Sequence, residues 1–157
     1  MTVSGSIRDT VRVRVNGLLV EEGSLLLVRL MSPVAGKLIW MPPGGGLHFG
    51  ESLTGALRRE MLEETGIDVT PGPLWYLHEV ITNDVHAIEF YYLCRRRGGS
   101  LIKGADPEYS DDEQIIRDVA FLPLERLDQP DIHPVYLRSG FVSDYRDKHG
   151  ADLPKFI

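Results

Sequence analysis

Three glutamates on one predicted helix are the side chains of this chain best suited to chemistry. Glu60, Glu63 and Glu64 are spaced i, i+3 and i+4, which places their carboxylates on one face of a helix. Glu60 and Glu64 repel each other at that spacing, so the cluster does not favour the helix by itself. Clustered carboxylate oxygens are the ligands that a hard cation such as Mg²⁺ requires. The spacing alone leaves two interpretations open, a metal site and a solvated acidic face.

The neighbouring elements are predicted to hold this helix beside a glycine-rich segment. Residues 42–46 read Pro-Pro-Gly-Gly-Gly, a composition that helix interiors exclude, and predict a tight loop whose backbone approaches another group closely. Ser52 suits an N-cap and Gly66 suits a left-handed stop, so we predict a helix over about 53–65. Its buried face is supplied at helical spacing by Leu53, Ala56, Leu57 and Met61.

Residues 45–67 carry a longer pattern, G-x5-E-x7-R-E-U-x-E-E-x-G-U, in which U is a bulky aliphatic residue. The chain matches it without departure, and the pattern resembles the Nudix box, the signature of Mg²⁺-dependent hydrolases of nucleoside diphosphates linked to another group. The resemblance is strong over the box and weaker over flanking strands from about 11 to 127. The fixed positions are Gly45, Glu51, Arg59, Glu60, Glu63, Glu64 and Gly66, and the aliphatic ones are Met61 and Ile67.

This resemblance implies an α/β fold, the α/β/α sandwich with a mixed β-sheet, and it implies roles for residues of the box. Glu60, Glu63 and Glu64 are expected to bind Mg²⁺, with Mn²⁺ as an alternative ion, while water attacks a phosphorus atom. In some members of the family the residue at the Glu60 position also acts as the general base. Arg59 is expected to pair with Glu51 and orient the catalytic helix.

Further substrate contacts are expected around the box. The glycine-rich segment, with Gly44, Gly45 and Gly46, is predicted to lie against the substrate. Trp40 is a candidate for stacking on a base, with ordinary core packing as its alternative. His48 occupies a variable position of the box and is a candidate for facing the substrate.

A loop acid after the central strands binds metal or acts as a base in many members of the family. Glu113 is the first candidate here, because it lies at the start of the last predicted strand, and Glu108 is the second. Asp111 and Asp112 are the other acids of this stretch. All four are also compatible with ordinary positions in a loop.

Composition bounds the class of protein. The 157 residues are 43% hydrophobic, which suffices for one domain over 1–157 with a single core region. No run of 18 apolar residues predicts a membrane span, and no apolar N-terminal segment predicts a secretory signal. One cysteine, Cys94, excludes an internal disulfide framework and predicts a cytoplasmic location. The net charge of −6 makes nucleic acid an unfavourable partner, with the run Arg95–Arg97 as the local exception.

Periodicity predicts strands and helices in alternation, with a core over about 11–127 and a C-terminal helical segment over about 134–149. Pro71-Gly72-Pro73 is expected to interrupt the chain before a hairpin that turns at Asn83-Asp84. Gly140 is expected to bend the terminal helix. The predicted strands cover 11–20, 24–30, 38–40, 74–81, 85–95 and 115–122, and a short helix follows to Leu127.

The resemblance implies a small-molecule nucleotide as substrate without fixing which one. A nucleotide sugar such as ADP-ribose is the first candidate, and nucleoside triphosphates and dinucleoside polyphosphates are alternatives. Ile81 and Thr82 stand where ADP-ribose enzymes of the family often carry proline, and Asn83 and Asp84 stand where a diadenosine-polyphosphate subset carries tyrosine. Two other functions remain as alternatives. One is a nucleotide sensor that binds without turnover, and the other is an RNA 5′-end hydrolase. Many relatives are homodimers, so a homodimer is expected.

Overall fold

The computed structural model describes residues 10–32, 35–102, 115–147 and 154–156, and these form an eight-stranded mixed sheet with helices on both faces. The strands are β1 (Val11–Glu21), β2 (Ser24–Ser32), β3 (Lys37–Met41), β4 (Gly44–Gly46), β5 (Ile67–Ile81), β6 (His86–Gly99), β7 (Ile116–Pro123) and β8 (Lys155–Phe156). The helices are α1 (Leu53–Thr65), α2 (Val135–Ser139) and α3 (Phe141–Arg146), with a 3₁₀ turn at Leu124–Arg126.

The strand order is β3-β2-β1-β6-β5-β8, with β4 paired to β1 and β7 paired to β2. The pairs β1–β6 and β5–β8 are parallel, and the other pairs are antiparallel. The β1–β6 register runs from Val11 opposite His86 to Leu19 opposite Cys94. This long central pairing joins two regions of the chain that lie far apart in sequence. Because the sheet contains both parallel and antiparallel pairs, the predicted mixed sheet is confirmed.

Helix α1 covers one face of the sheet, and the C-terminal helices cover the other. Alternate side chains of a strand point to opposite faces, so neighbouring residues of β1 enter different clusters. Leu19 packs with Leu57 and Met61 of α1, whereas Leu18 packs with Leu137 and Phe141 of the C-terminal helices. All of these side chains are fully buried or nearly so. The arrangement is the α/β/α sandwich predicted from the sequence.

The bounds of α1 agree with the sequence prediction. Ser52 caps the helix, and its side chain accepts a hydrogen bond of 3.0 Å from the amide of Gly55. Gly66 ends the helix with φ 74°, a left-handed conformation that glycine adopts without strain. Both signals are local, which is why the sequence alone fixed the helix ends.

Two local predictions were wrong. The glycine-rich segment forms the short strand β4, where Arg14, Val15 and Asn16 pair with residues 46, 45 and 44, instead of a loop. Its backbone does approach other groups closely, as expected. Pro71-Gly72-Pro73 does not interrupt the chain, because β5 runs through it from Ile67, with register shifts against β6 absorbing the prolines.

The C-terminal helical segment is present and is divided at Gly140, as predicted, into α2 and α3. Residues 148–153 lie outside the described part of the chain, so the predicted end near 149 stays a prediction. Strand β8 was not predicted. Among the described residues, no helix combines the length and the hydropathy needed to cross a membrane.

Candidate active site

Strand β4 lies directly against the buried side of helix α1. The amide of Gly44 donates a 2.9 Å hydrogen bond to Oε2 of Glu64. A Cβ atom at Gly45 would overlap the carboxylate of Glu60, so the contact requires glycine there. Glu60 and Glu64 are only 9% and 6% exposed. The carboxylates of Glu60 and Glu64 therefore lie directly against the glycine backbone of β4.

Arg59 links these glutamates to the turn that precedes the helix. Its Nε and Nη2 donate to Glu51 at 2.7 and 3.0 Å, and its Nη1 donates to Glu60 at 2.7 Å and to Glu63 at 3.3 Å. Nη2 also donates to the carbonyl oxygen of Gly46 at 3.1 Å. The hydrogen bonds from Arg59 lower the pKa of Glu51 to about 2, although partial burial opposes that shift. The pKa of Arg59 is raised in turn, chiefly by Glu51.

The box glutamates match a magnesium site in the type of atom they offer. They supply hard carboxylate oxygens beside β4, where the carboxylate of Glu60 packs directly against the backbone of Gly45. In the described ranges, no group of three or more His, Cys, Asp or Glu side chains is arranged so that it could hold a metal ion by itself. Mg²⁺ typically keeps several waters and uses one or two carboxylates together with substrate phosphates. An open set of donors therefore fits this ion.

Trp40 and His48, the two other predicted substrate contacts, lie in different surroundings. Trp40 is half-buried and packs against the cluster under α2 and α3, with the guanidinium of Arg29 5.9 Å from its ring centre. His48 is exposed in the turn before α1, where its amide donates to Glu51 at 3.0 Å. Glu113, with the alternative acids between 108 and 112, lies outside the described residues. The roles predicted for these residues stay predictions.

The arginine run at the end of β6 is largely paired. Arg96 makes a bidentate ion pair with Glu21, with distances of 2.8 and 2.9 Å. Arg97 pairs with Asp68 at 2.6 Å. These partners neutralise the charges that a nucleic-acid surface would present to phosphates.

A second polar cluster lies on the sheet face opposite α1, and sequence reasoning missed it. We call it the polar row: Arg14 and Asn16 of β1, Glu89 and Tyr91 of β6, and His78 of β5. The register places Arg14, Glu89 and His78 side by side on neighbouring strands, with Asn16 and Tyr91 forming the next rung. The row continues the face that carries Leu18, so it borders the cluster under α2 and α3.

Glu89 is the centre of the polar row and is 8% exposed. It contacts Arg14 Nε at 3.4 Å and His78 Nδ1 at 3.1 Å, and accepts a hydrogen bond from the Tyr91 hydroxyl at 2.9 Å. Burial raises the pKa of Glu89, but His78, Arg14 and Tyr91 together outweigh it, so the pKa lies below its ordinary value. The carboxylate is therefore ionised although it is buried.

Asn16 is the most unusual member of the row. The residue is 0% exposed, and in the part of the chain that the structure describes neither its amide nitrogen nor its amide oxygen has a hydrogen-bond partner. A signal for it existed in the sequence, because Asn16 follows Arg12 and Arg14 at the polar alternate positions of a strand that reads Val-Arg-Val-Arg-Val-Asn-Gly-Leu-Leu-Val. Its neighbours across the sheet could not be read from the sequence.

Several known proteins resemble this chain in sequence or in structure. "Phosphatase NudJ" of Escherichia coli K12 is 35% identical over 80 residues, which are 46% of this chain and 51% of that protein. The chain thus spans about half the length of the curated relatives it matches. A NUDIX hydrolase from Nitrosomonas europaea superposes with a TM-score of 0.71 and 21% identity, over 88% of this chain and 90% of that one.

An ADP-ribose pyrophosphatase from Streptococcus suis superposes with a TM-score of 0.63 and 18% identity, over 94% of this chain and 98% of that one. At these identities the two solved structures demonstrate a shared fold. The family described as "NUDIX domain" matches residues 10–139, which contain the whole glutamate helix and the strands around it. The chain belongs to the Nudix family.

Proposed function

We propose that this chain hydrolyses a diphosphate linkage in a nucleoside diphosphate derivative with the help of a divalent metal ion. The observation that carries the proposal is the contact between β4 and α1. There Glu64 accepts a hydrogen bond from the amide of Gly44, and the carboxylate of Glu60 occupies the space that a side chain at position 45 would need. A diphosphate needs this combination, because its charge must be neutralised by metal while its oxygens approach backbone closely.

Glu60, Glu63 and Glu64 would hold Mg²⁺, or Mn²⁺ in its place. A bound ion of this kind neutralises phosphate charge and lowers the pKa of a coordinated water. Nη1 of Arg59 donates to both Glu60 and Glu63, at 2.7 and 3.3 Å, and so fixes the positions of these two carboxylates relative to each other. Glu51 anchors Arg59 from the other side at 2.7 Å.

Within this reaction class we propose a nucleotide sugar such as ADP-ribose as the first substrate to test. The Streptococcus suis neighbour is described as an ADP-ribose pyrophosphatase and has the same fold over most of this chain. Nucleoside triphosphates are the alternative, with pyrophosphate and a monophosphate as products. A long RNA is a poor candidate, because Arg96 and Arg97 already pair with acidic side chains of this chain.

Phosphate release from a nucleotide panel tests the proposal. Nucleotide sugars, common and oxidised triphosphates and diadenosine polyphosphates are incubated with the protein and Mg²⁺ or Mn²⁺, and a phosphatase is added to reveal new monoester ends. We expect turnover that depends on the ion, and turnover lost on chelation. Absence of turnover for every compound, with the protein folded, would overturn the proposed activity and favour a sensor that binds without hydrolysis.

Thermal stability tests the metal site separately from turnover. Bound Mg²⁺ relieves repulsion between the carboxylates of Glu60, Glu63 and Glu64, so the melting temperature should rise with Mg²⁺ concentration. The control is Glu64→Gln, which should reduce the rise. A melting temperature that is unchanged across millimolar Mg²⁺ in the wild-type protein would contradict the assignment of these glutamates.

A further inference from the structure

Arg12 of β1 carries a charge that no acidic side chain of the described residues offsets. It is half-buried, and within the part of the chain that the structure describes it forms neither a hydrogen bond nor an ion pair. Its neighbours across the sheet are Ala87 of β6 and, one strand further, Val80 of β5, which cannot neutralise a guanidinium. Glu89, the next side chain of β6 on this face, already contacts Arg14. Because a guanidinium cannot be deprotonated in proteins, this charge is available to an anion from outside the chain.

Strand β4 brings Arg12 beside the glycines of the candidate active site. A Cβ atom at Gly46 would lie 3.5 Å from Nη2 of Arg12, whereas one at Gly45 would overlap the carboxylate of Glu60. Successive residues of a strand point to opposite faces and are only about 3.4 Å apart along it. Arg12 therefore flanks β4 on one face and Glu60 flanks it on the other, with glycine backbone between them.

The free edge of β4 lies between these two groups. The strand pairs with β1 along one edge, and no strand of the described residues pairs with its other edge. A group that lies along this free edge is within reach of a metal ion on the Glu60 side and of a guanidinium on the Arg12 side. The two faces of β4 can therefore act on one and the same ligand.

The charges of helix α1 leave a need for such a guanidinium. Arg58 is paired with Asp68 at 3.2 Å, and all the donors of Arg59 are taken by acceptors of this chain. The three box glutamates outweigh the charge of a single divalent ion, so they repel an approaching diphosphate even when that ion is bound. Positive groups fixed around the phosphates stabilise the charge of the transition state. Arg12 supplies a positive group from outside the helix.

The side chain of Arg12 also selects the kind of group that it can bind. A guanidinium is a planar fork of donors, and this fork matches two oxygens of a phosphate. An uncharged sugar or base would leave the charge of the half-buried guanidinium without a counterpart. An anionic phosphate oxygen is therefore the partner that fits.

We propose that Arg12 binds a phosphate oxygen of the substrate's diphosphate from the face of β4 opposite Glu60. The diphosphate then lies along the free edge of β4, with the metal-binding carboxylates on one side and the guanidinium on the other. The inference rests on the proposed function for the presence of a diphosphate, but the contact itself requires no turnover.

Nuclear magnetic resonance of the arginine side chains tests this contact in the wild-type protein. The Nε–Hε signal of Arg12 is identified by its absence from the spectrum of Arg12→Lys. We expect this signal to shift when α,β-methylene-ADP or methylenediphosphonate is added with Mg²⁺, since neither compound can be hydrolysed at its P–C–P bridge. Adenosine, which lacks phosphate, should not shift it. Absence of a shift with both phosphonates at millimolar concentration, or an equal shift with adenosine, would overturn the proposal.

A matched set of variants supplies the second test. Arg12→Gln should raise the dissociation constant of the phosphonate that binds best about tenfold, because a charge-assisted hydrogen bond is lost, and Arg12→Lys should restore part of the affinity. The control is Arg95→Gln, which removes an exposed charge from β6 roughly 25 Å along the sheet and should leave the affinity unchanged.

The melting temperature separates binding from a structural role. Arg12→Gln should melt with the wild-type protein, because Arg12 has no partner to lose among the described residues. An unchanged dissociation constant in Arg12→Gln, or an equal rise in Arg95→Gln, would overturn the assignment. A lower melting temperature without rescue by Arg12→Lys would assign Arg12 a structural role instead.

The two proposals fail in different ways. A response of Arg12 to the phosphonates without hydrolysis of any compound would remove the proposed activity and leave the phosphate contact standing. Ion-dependent hydrolysis at the wild-type kcat/KM in Arg12→Gln would leave the activity standing and remove the contact.

Discussion

The two faces of β4 carry polar clusters of opposite character. On the α1 side, Arg59 donates to Glu51, Glu60, Glu63 and the carbonyl oxygen of Gly46, so each of these contacts joins a positive donor to an acceptor. On the other side, Glu89 is well contacted but the adjacent Asn16 amide has no partner within the described residues. The donors of Arg59 are all paired within the chain, whereas the Asn16 amide lacks a partner among the described residues.

The difference bears on how each cluster relates to stability. A satisfied network of charges stabilises the helix that carries it and keeps its geometry before substrate arrives. An unsatisfied buried amide destabilises the folded chain and is relieved only when a partner binds. We therefore expect changes on the α1 side to affect turnover and acid stability, and removal of the unpartnered Asn16 amide to raise stability.

The largest expected effect is on turnover by Glu64→Gln. The change removes a charged metal ligand but keeps an oxygen that can accept the hydrogen bond from Gly44, so the fold should survive. We expect kcat to fall by about 10³-fold, the loss typical of removing one charge-stabilising group from an active site. Steady-state kinetics with Mg²⁺ measures it, and circular dichroism checks the fold.

Glu22→Gln is the matched control for this prediction. Glu22 is exposed in the turn between β1 and β2, so the same substitution there changes the net charge equally without touching the site. It should leave kcat within the error of the wild-type value. If both variants lost turnover alike, a general effect of charge would replace the metal-ligand interpretation.

The next effect concerns the pH dependence of stability. Arg59 holds the pKa of Glu51 at about 2, below the ordinary value of 4.5, so the folded state binds the proton less tightly than the unfolded state. This contribution is complete above pH 4.5 and is lost as the pH falls towards 2. Glu51→Gln should lower the free energy of unfolding at neutral pH by about 2 kcal/mol.

Urea unfolding at a series of pH values between 6 and 3 measures this contribution. The free energy of unfolding of the wild-type protein should approach that of Glu51→Gln as the solution becomes more acidic. Parallel curves for the two proteins would mean that the ion pair with Arg59 contributes nothing to folding. The partially exposed Asp68, which pairs with Arg97, is not changed in either protein and so cancels from the comparison.

A smaller effect comes from the close contact of β4 with α1. Gly45→Ala places a methyl group on the Glu60 carboxylate, which must move, whereas a Cβ atom at Gly98 of β6 meets nothing within 4 Å. We expect Gly45→Ala to lower kcat about tenfold, because displaced groups lose catalytic geometry. Gly98→Ala should stay close to the wild-type value. Equal losses in the two variants would indicate a general effect of the added methyl group on the sheet instead.

The sequence predicted the α1 side of β4 because its signals lie within one short segment. Ser52 and Gly66 mark the helix ends, and the glutamate spacing follows from helical periodicity. The polar row was not predictable in the same way, because Arg14, His78 and Glu89 come from three strands whose register is set by long-range pairing. Strand β4 was misjudged for the same reason, since its three glycines gain their extended form only by pairing with β1.

The smallest expected effect is a change in stability, and it tests the difference between the two faces of β4 most directly. Asn16→Leu keeps the branched shape of the side chain and removes two polar atoms that have no partner among the described residues. The free energy of unfolding should rise by about 1 kcal/mol, because an unsatisfied buried amide is replaced by an apolar group. Urea denaturation measures this change in free energy, and the dependence of the free energy on urea concentration should stay unchanged. A loss of stability would mean that Asn16 already has a partner in the folded chain, and the two faces of β4 would then not differ.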